Sequence, residues 1–169
     1  VVGRSNFDHL EGLFAFAQRK ELTEIEFLRL KPSGRAAALF EKERCTYEQN
    51  IRLIPMLLEF AEKYKVTAKI DCSFVPMLVE HSPPMETLEA FATYGCEAGN
   101  VLVGIRSDGS VSPCSFLKGA GISVFDLPGA WADLPEFQKF REWSQKAEEP
   151  CRSCPYLALC KGGCHAVTE

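Results

Sequence analysis

The sequence predicts an α/β fold over its first part and a small cysteine-rich α+β region with a β-hairpin after it. Three observations predict this. Helical and strand-like patterns alternate from Ser5 to Phe74, the character changes at Ser82-Pro83-Pro84, and six of the eight cysteines fall between Cys96 and Cys164. The chain has 169 residues, room for one compact domain or two small ones. With 46% hydrophobic and 25% charged residues it has the composition of a folded globule, which excludes a disordered tail. The net charge is -4 and the basic residues are scattered, so no clustered basic face is available for nucleic acid. No run approaches the roughly 20 apolar residues of a membrane-spanning helix.

The elements follow in order. Ser5 and Asp8 have the spacing of a helix start, and Leu10, Leu13, Phe14 and Ala17 then form a stripe at helical period. In Glu24–Leu30, Ile25 and Phe27 alternate with charges as in a strand, and Lys31-Pro32-Ser33-Gly34-Arg35 ends it as a loop. Thr46 and Gln49 announce a second helix through a capping box. Its expected buried face is Ile51, Ile54, Leu58 and Ala61, and Pro55 predicts a kink or restart. A second strand, Thr67–Phe74, completes a βαβ unit and so demands a parallel sheet. Two such strands cannot close a barrel, which fits a fragment of a larger α/β enzyme. Domain boundaries are drawn at 1–84 and 85–169. After a helix from Met85 to Tyr94, Ser107-Asp108-Gly109-Ser110 between apolar runs reads as a hairpin turn. A further amphipathic helix spans Leu134 to Trp143.

The cysteines carry the chemistry. The last four read Cys151-x2-Cys154-x5-Cys160-x3-Cys164, with Cys96 and Cys114 upstream and Gly109 five residues before Cys114. A two-residue gap lets two thiolates converge from one turn, and thiolate is the soft ligand of zinc, copper(I) and iron–sulfur clusters. Three explanations compete. An even count permits disulfides, although an α/β core of this size does not need them and the cytoplasm disfavours them. A non-catalytic zinc-binding interaction module is the second, but structural zinc sites favour paired CxxC units across a finger-length loop, and only one such pair is present. Iron–sulfur ligation tolerates irregular spacing, because one thiolate of a run can serve a neighbouring cluster.

These residues resemble the SPASM auxiliary-cluster domain of radical SAM enzymes. The resemblance is carried by Cys96, Gly109-x4-Cys114 and the terminal quartet, with the local phrases Cys-Glu-Ala-Gly-Asn, Ser-Asp-Gly-Ser-Val-Ser-Pro-Cys and Cys-Lys-Gly-Gly-Cys-His, and it covers Cys96 to the end. It implies that 1–84 is the last part of a partial (β/α) barrel. It assigns Cys96, Cys114 and Cys164 to one auxiliary [4Fe-4S] cluster, and Cys151, Cys154 and Cys160 to a second, outer one. The family's final cysteine is then expected beyond Glu169. The C-x3-C-x2-C loop that binds the S-adenosylmethionine cluster is expected before Val1, so this piece alone is expected not to cleave S-adenosylmethionine. The resemblance also implies a peptide or small cofactor precursor as substrate, and an electron donor such as flavodoxin or ferredoxin.

Other residues carry weaker signals. Arg29 and Arg35 flank the loop at the C-terminal end of a parallel strand, where α/β barrels gather their chemistry, and are candidates for cofactor binding. Asp71 opposes Ile70 and Cys72 by alternation and is not expected in a site. Cys72 and Cys45 read as structural, and His165 as an exposed neighbour of a cluster. Phe116, Phe125 and Trp131 are expected to pack over the clusters and exclude water, which tunes a cluster's potential.

Overall fold

The computed structural model of the chain describes residues 1–90, 93–119 and 121–168. These fall into two units, Val1–Tyr94 and Gly95–Glu169. The helix at Met85–Ala90 is thereby grouped with the first unit, whereas the sequence boundary precedes it.

In the first unit a single turn of 3₁₀ helix, Phe7–His9, leads into α1 (Leu10–Arg19). The expected cap by Ser5 and Asp8 does not form. Asn6 occupies the N-cap position without a side-chain cap, its Oδ1 accepting instead from the upstream Gly3 N–H at 2.9 Å. Leu10, Phe14 and Ala17 are buried, while Leu13 is 46% exposed, so the apolar stripe is narrower than its sequence period. Strand β1 (Glu24–Phe27) runs parallel to β2 (Thr67–Ile70), with Glu24 opposite Thr67 and Phe27 opposite Ile70. On the other side of β1, Val2 makes a parallel bridge to Arg29. Among the described residues this is the mixed α/β arrangement expected, with a two-stranded parallel sheet rather than a visible barrel.

Between the strands lie a 3₁₀ segment (Gly34–Leu39), the short α2 (Phe40–Glu43) and the long α3 (Tyr47–Tyr64). The capping box is present: Thr46 Oγ1 accepts from the Gln49 N–H at 3.2 Å, and Gln49 Oε1 accepts from the Thr46 N–H at 3.0 Å. Pro55 does not interrupt the helix, which runs through it with Pro55 on the exposed side. The buried residues are Leu53, Ile54 and Leu57, and Leu58 is exposed, so the face is rotated from the expected one. At the centre, Phe14 stacks on Phe27 at 5.4 Å and meets Phe60 edge-on at 5.7 Å. The second strand stops at Ile70 rather than Phe74. There the Asp71 side chain accepts from the Ser73 N–H, turning the chain into a 3₁₀ segment (Cys72–Phe74) that continues into α4 (Val75–Val79) and α5 (Met85–Ala90).

In the second unit, β3 (Gly104–Ile105) and β4 (Val111–Ser112) form the expected antiparallel hairpin. Gly109 supplies the left-handed turn residue at φ 81°, and Asp108 Oδ1 accepts from the Ser110 N–H at 2.9 Å. Among the described residues there follow α6 (Leu127–Ala130), α7 (Pro135–Arg141), a 3₁₀ turn (Trp143–Gln145), α8 (Leu157–Cys160) and α9 (His165–Thr168). The core is Val111, Leu134 and Phe137, with Trp131 edge-on to Phe137 at 5.3 Å. Arg141 lies over Trp131 and donates from Nε to the Gly99 carbonyl at 2.7 Å. Of the three aromatics expected over the clusters, Trp131 instead belongs to this core, Phe125 is 90% exposed and Phe116 is half-exposed.

Candidate metal centre

All eight cysteines are free thiols. Cys96 lies in an extended strap, residues 95–98, that is tied to the end of α8: the Gly95 N–H donates to the Leu159 carbonyl at 2.9 Å. Cys114 follows β4, where Ser112 Oγ donates to the Cys114 carbonyl at 2.9 Å. Cys164 directly precedes α9 and accepts on its carbonyl from the Val167 N–H at 2.9 Å. The Cys96 thiol interacts through charge with the thiols of Cys164 and Cys114. Burial pushes it up, and the backbone N–H groups of Ala98 and His165 pull the other way by donating to its sulfur.

The second group forms on a compact turn. The Cys154 N–H donates to the Cys151 carbonyl at 3.1 Å, and Cys160 ends α8. Lys161, Gly162 and Gly163 then take left-handed conformations in succession, at φ 47°, 75° and 74°. This run turns the Gly162 and Gly163 N–H groups back on the Cys160 sulfur, a concave row of donors suited to an anion. Burial pushes the Cys160 thiol up, these two donors oppose it, and the Cys154 and Cys151 thiols add to the rise. The indole of Trp143 covers the loop so closely that a Cβ at Gly162 would sit 2.6 Å from its ring.

The donors present are six thiols in the second unit, the soft ligand type that iron–sulfur clusters use. Among the described residues no three His, Cys, Asp or Glu side chains converge to hold a single metal ion. A lone zinc with bonds of about 2.3 Å draws its thiolates together at one point, whereas an iron–sulfur cluster spreads them over separate irons. The N–H groups aimed at Cys96 and Cys160 are the kind of donors that stabilise a cluster's thiolates and set its potential.

His165 departs from expectation. It is only 4% exposed, its ring edge-on to Phe140 at 5.4 Å and to Trp143 at 5.0 Å, with Nε2 3.1 Å from the Lys161 carbonyl. Ring packing buries it, and no sequence period announces such packing. In the first unit Arg29 is half-buried and donates from Nη1 to the Ser73 carbonyl at 3.2 Å, while Arg35 is exposed in the 3₁₀ segment. Asp71 is a hub: it pairs with the buried Lys31, and its Oδ1 accepts from the Arg29 and Ser73 N–H groups and from Ser73 Oγ. The missed signal was opposite charge just past the ends of two parallel strands. Cys45 packs against the core, burial raising its thiol while Arg29 and Arg4 pull it back, and Cys72 is half-buried.

Backbone amides thus face the sulfurs of Cys96 and Cys160, each of which has two further cysteines within electrostatic reach. Residues 96–155 match the SPASM family model, described as an iron–sulfur cluster-binding domain. Over 99% of its length the chain is 30% identical to the mycofactocin maturase MftC of Mycobacterium ulcerans, covering 44% of that protein. It is likewise 30% identical to MftC of Mycolicibacterium smegmatis, covering 41% of it. With the AdoMet-dependent heme synthase of Methanosarcina barkeri it shares 25% identity, over 98% of the chain and 49% of that protein. The likeness to the SPASM domain is thus carried by residues 96–155, and the chain spans less than half the length of these curated relatives.

Proposed function

We propose that the second unit holds one or two auxiliary [4Fe-4S] clusters, one on Cys96, Cys114 and Cys164, the other on Cys151, Cys154 and Cys160. The observation that carries this reading is the pattern of interaction among the thiols. Cys164 and Cys114 lie close enough to raise the Cys96 thiol electrostatically, and Cys154 and Cys151 to raise that of Cys160, in each case after burial, which is the larger cause. Bound clusters would supply one-electron redox chemistry and an iron site for ligands. The chain's own part is to shed water from the sulfurs, direct the Ala98, His165, Gly162 and Gly163 amides onto them, and hold the two groups at a fixed spacing.

In the whole protein these clusters would pass electrons or position substrate during radical modification of a peptide or cofactor precursor. The relatives, a mycofactocin maturase and an AdoMet-dependent heme synthase, support that range. On this reading 1–84 contributes the last βα units of a partial barrel. Arg29 and Arg35, which follow the C-terminal end of β1, would face S-adenosylmethionine and its own [4Fe-4S] cluster, and a flavodoxin or ferredoxin would donate electrons in the cytoplasm. No described helix is long and apolar enough to cross a membrane.

The test is metal analysis of anaerobically purified protein. Iron and acid-labile sulfide are expected in equal amounts, with Cys96→Ala and Cys151→Ala each removing a separable share of the iron. Stoichiometric zinc without sulfide would overturn the reading. Loss of all iron from either variant, with the fold retained, would overturn the two-centre assignment.

A further inference from the structure

The two cysteine groups meet at one junction, and two residues beside it hold opposite charges. The strap carrying Cys96 is fastened to the end of α8 by three contacts. The Gly95 N–H donates to Leu159, the Gly95 Cα packs against the Cys160 carbonyl, and the Glu97 carboxylate pairs with the Lys161 ammonium. Glu97 directly follows Cys96, and Lys161 directly follows Cys160. The pair is about three-quarters withdrawn from solvent, its side chains 25% and 28% exposed. Its carboxylate is further held by Asn100 Nδ2, which donates to Oε2 at 2.6 Å. A surface pair of this kind contributes little to stability. One that is partly desolvated and carried by the residues next to Cys96 and Cys160 would act on clusters bound through those thiols, because the low local dielectric leaves each of its charges poorly screened.

We propose that Glu97 and Lys161 are positioning residues that join the two cysteine groups and balance the electrostatic field across them. The proposal rests on the reading of those groups as cluster sites. Neither residue is a ligand. Together they are nearly neutral toward either centre, and singly they are not. Removing the ammonium leaves a carboxylate that opposes the arrival of an electron at both centres. Removing the carboxylate leaves an ammonium that favours it. A role confined to holding the fold would have no such sign.

The experiment is a redox titration, followed by electron paramagnetic resonance, of the anaerobically purified protein and three variants. Lys161→Met is expected to shift the auxiliary midpoint potentials downward and Glu97→Gln to shift them upward. The double variant should return close to the parent. Shifts of the same sign in the two single variants, or no shift in either, would overturn the proposal while the parent's iron and sulfide still upheld the cluster sites. A parent with zinc and no sulfide would overturn those sites themselves. Should a single variant fail to load iron, the reversed pair, Glu97→Lys with Lys161→Glu, is expected to restore loading. Failure of that rescue would also overturn the proposal.

Discussion

The backbone of Gly95 packs against the carbonyl group of Cys160 with no room for a side chain between them, and a Cβ there would also lie 3.1 Å from the Leu159 carbonyl oxygen. Both obstacles are backbone and cannot rotate away. Gly95→Ala is therefore expected to push the Cys96 strap off α8, at a cost of about 1–3 kcal/mol. Urea denaturation of the parent and the variant measures the loss. Iron content should fall with it, and an unchanged midpoint would show that the strap relaxes freely.

Asp71 is the counter-charge of a buried ammonium. The Lys31 and Asp71 side chains are 7% and 10% exposed, and the carboxylate also receives three hydrogen bonds from Arg29 and Ser73. Asp71→Asn removes the negative charge while keeping the shape, and breaking a buried pair from one side costs on the order of 3 kcal/mol. A thermal melt should show a clear fall, with Lys31→Met/Asp71→Asn recovering part of it.

Phe14 and Phe16 lie two residues apart on α1 and differ in burial, fully enclosed against 47% exposed. Phe14→Ala opens a cavity between Phe27 and Phe60 and should cost about 3–5 kcal/mol. Phe16→Ala should stay within about 0.5 kcal/mol of the parent. Equal losses in the two variants would contradict the narrow buried stripe of Leu10, Phe14 and Ala17 on α1.

Glu11 sits at the exposed meeting point of α1 and α3. Its carboxylate is held below its ordinary value of 4.5 by hydrogen bonds from Lys63 at 2.6 Å and Tyr64 at 2.8 Å. Glu11 in turn raises Lys63 above 10.5. A lowered carboxylate stabilises the fold above its unfolded value and loses that contribution as the pH falls through its folded value. A raised ammonium stabilises below its unfolded value and loses its contribution as the pH rises through its folded one. The pair is thus complete at neutral pH. The difference in urea midpoint between the parent and Glu11→Gln should shrink when measured at pH 3.

Local signals were legible in the sequence because they are satisfied within a few residues. The Thr46–Gln49 capping box and the Asp108-Gly109 turn form as read. Which side of α3 is buried depends on what packs there, so Leu53 and Leu57 replaced Ile51 and Leu58. The early end of β2 has the same origin, since Asp71 gains more from capping a turn beside Lys31 than from extending a strand. The cysteines announced a metal site by type and spacing. Their sorting into two groups came from the family resemblance, because spacing alone does not say which sulfurs meet across fifty residues. The burial of His165 and the Glu97–Lys161 pair depend on such distant meetings and left no local trace.

The indole laid over Gly162 has a practical consequence. Trp143 is one of only two tryptophans and touches the peptide that joins Cys160 to Cys164. Iron centres quench nearby indole emission, so in a Trp131→Phe background the remaining fluorescence would dim as that loop fills and brighten as it empties. The molecule carries its own optical gauge of loading, readable during assembly without a dye.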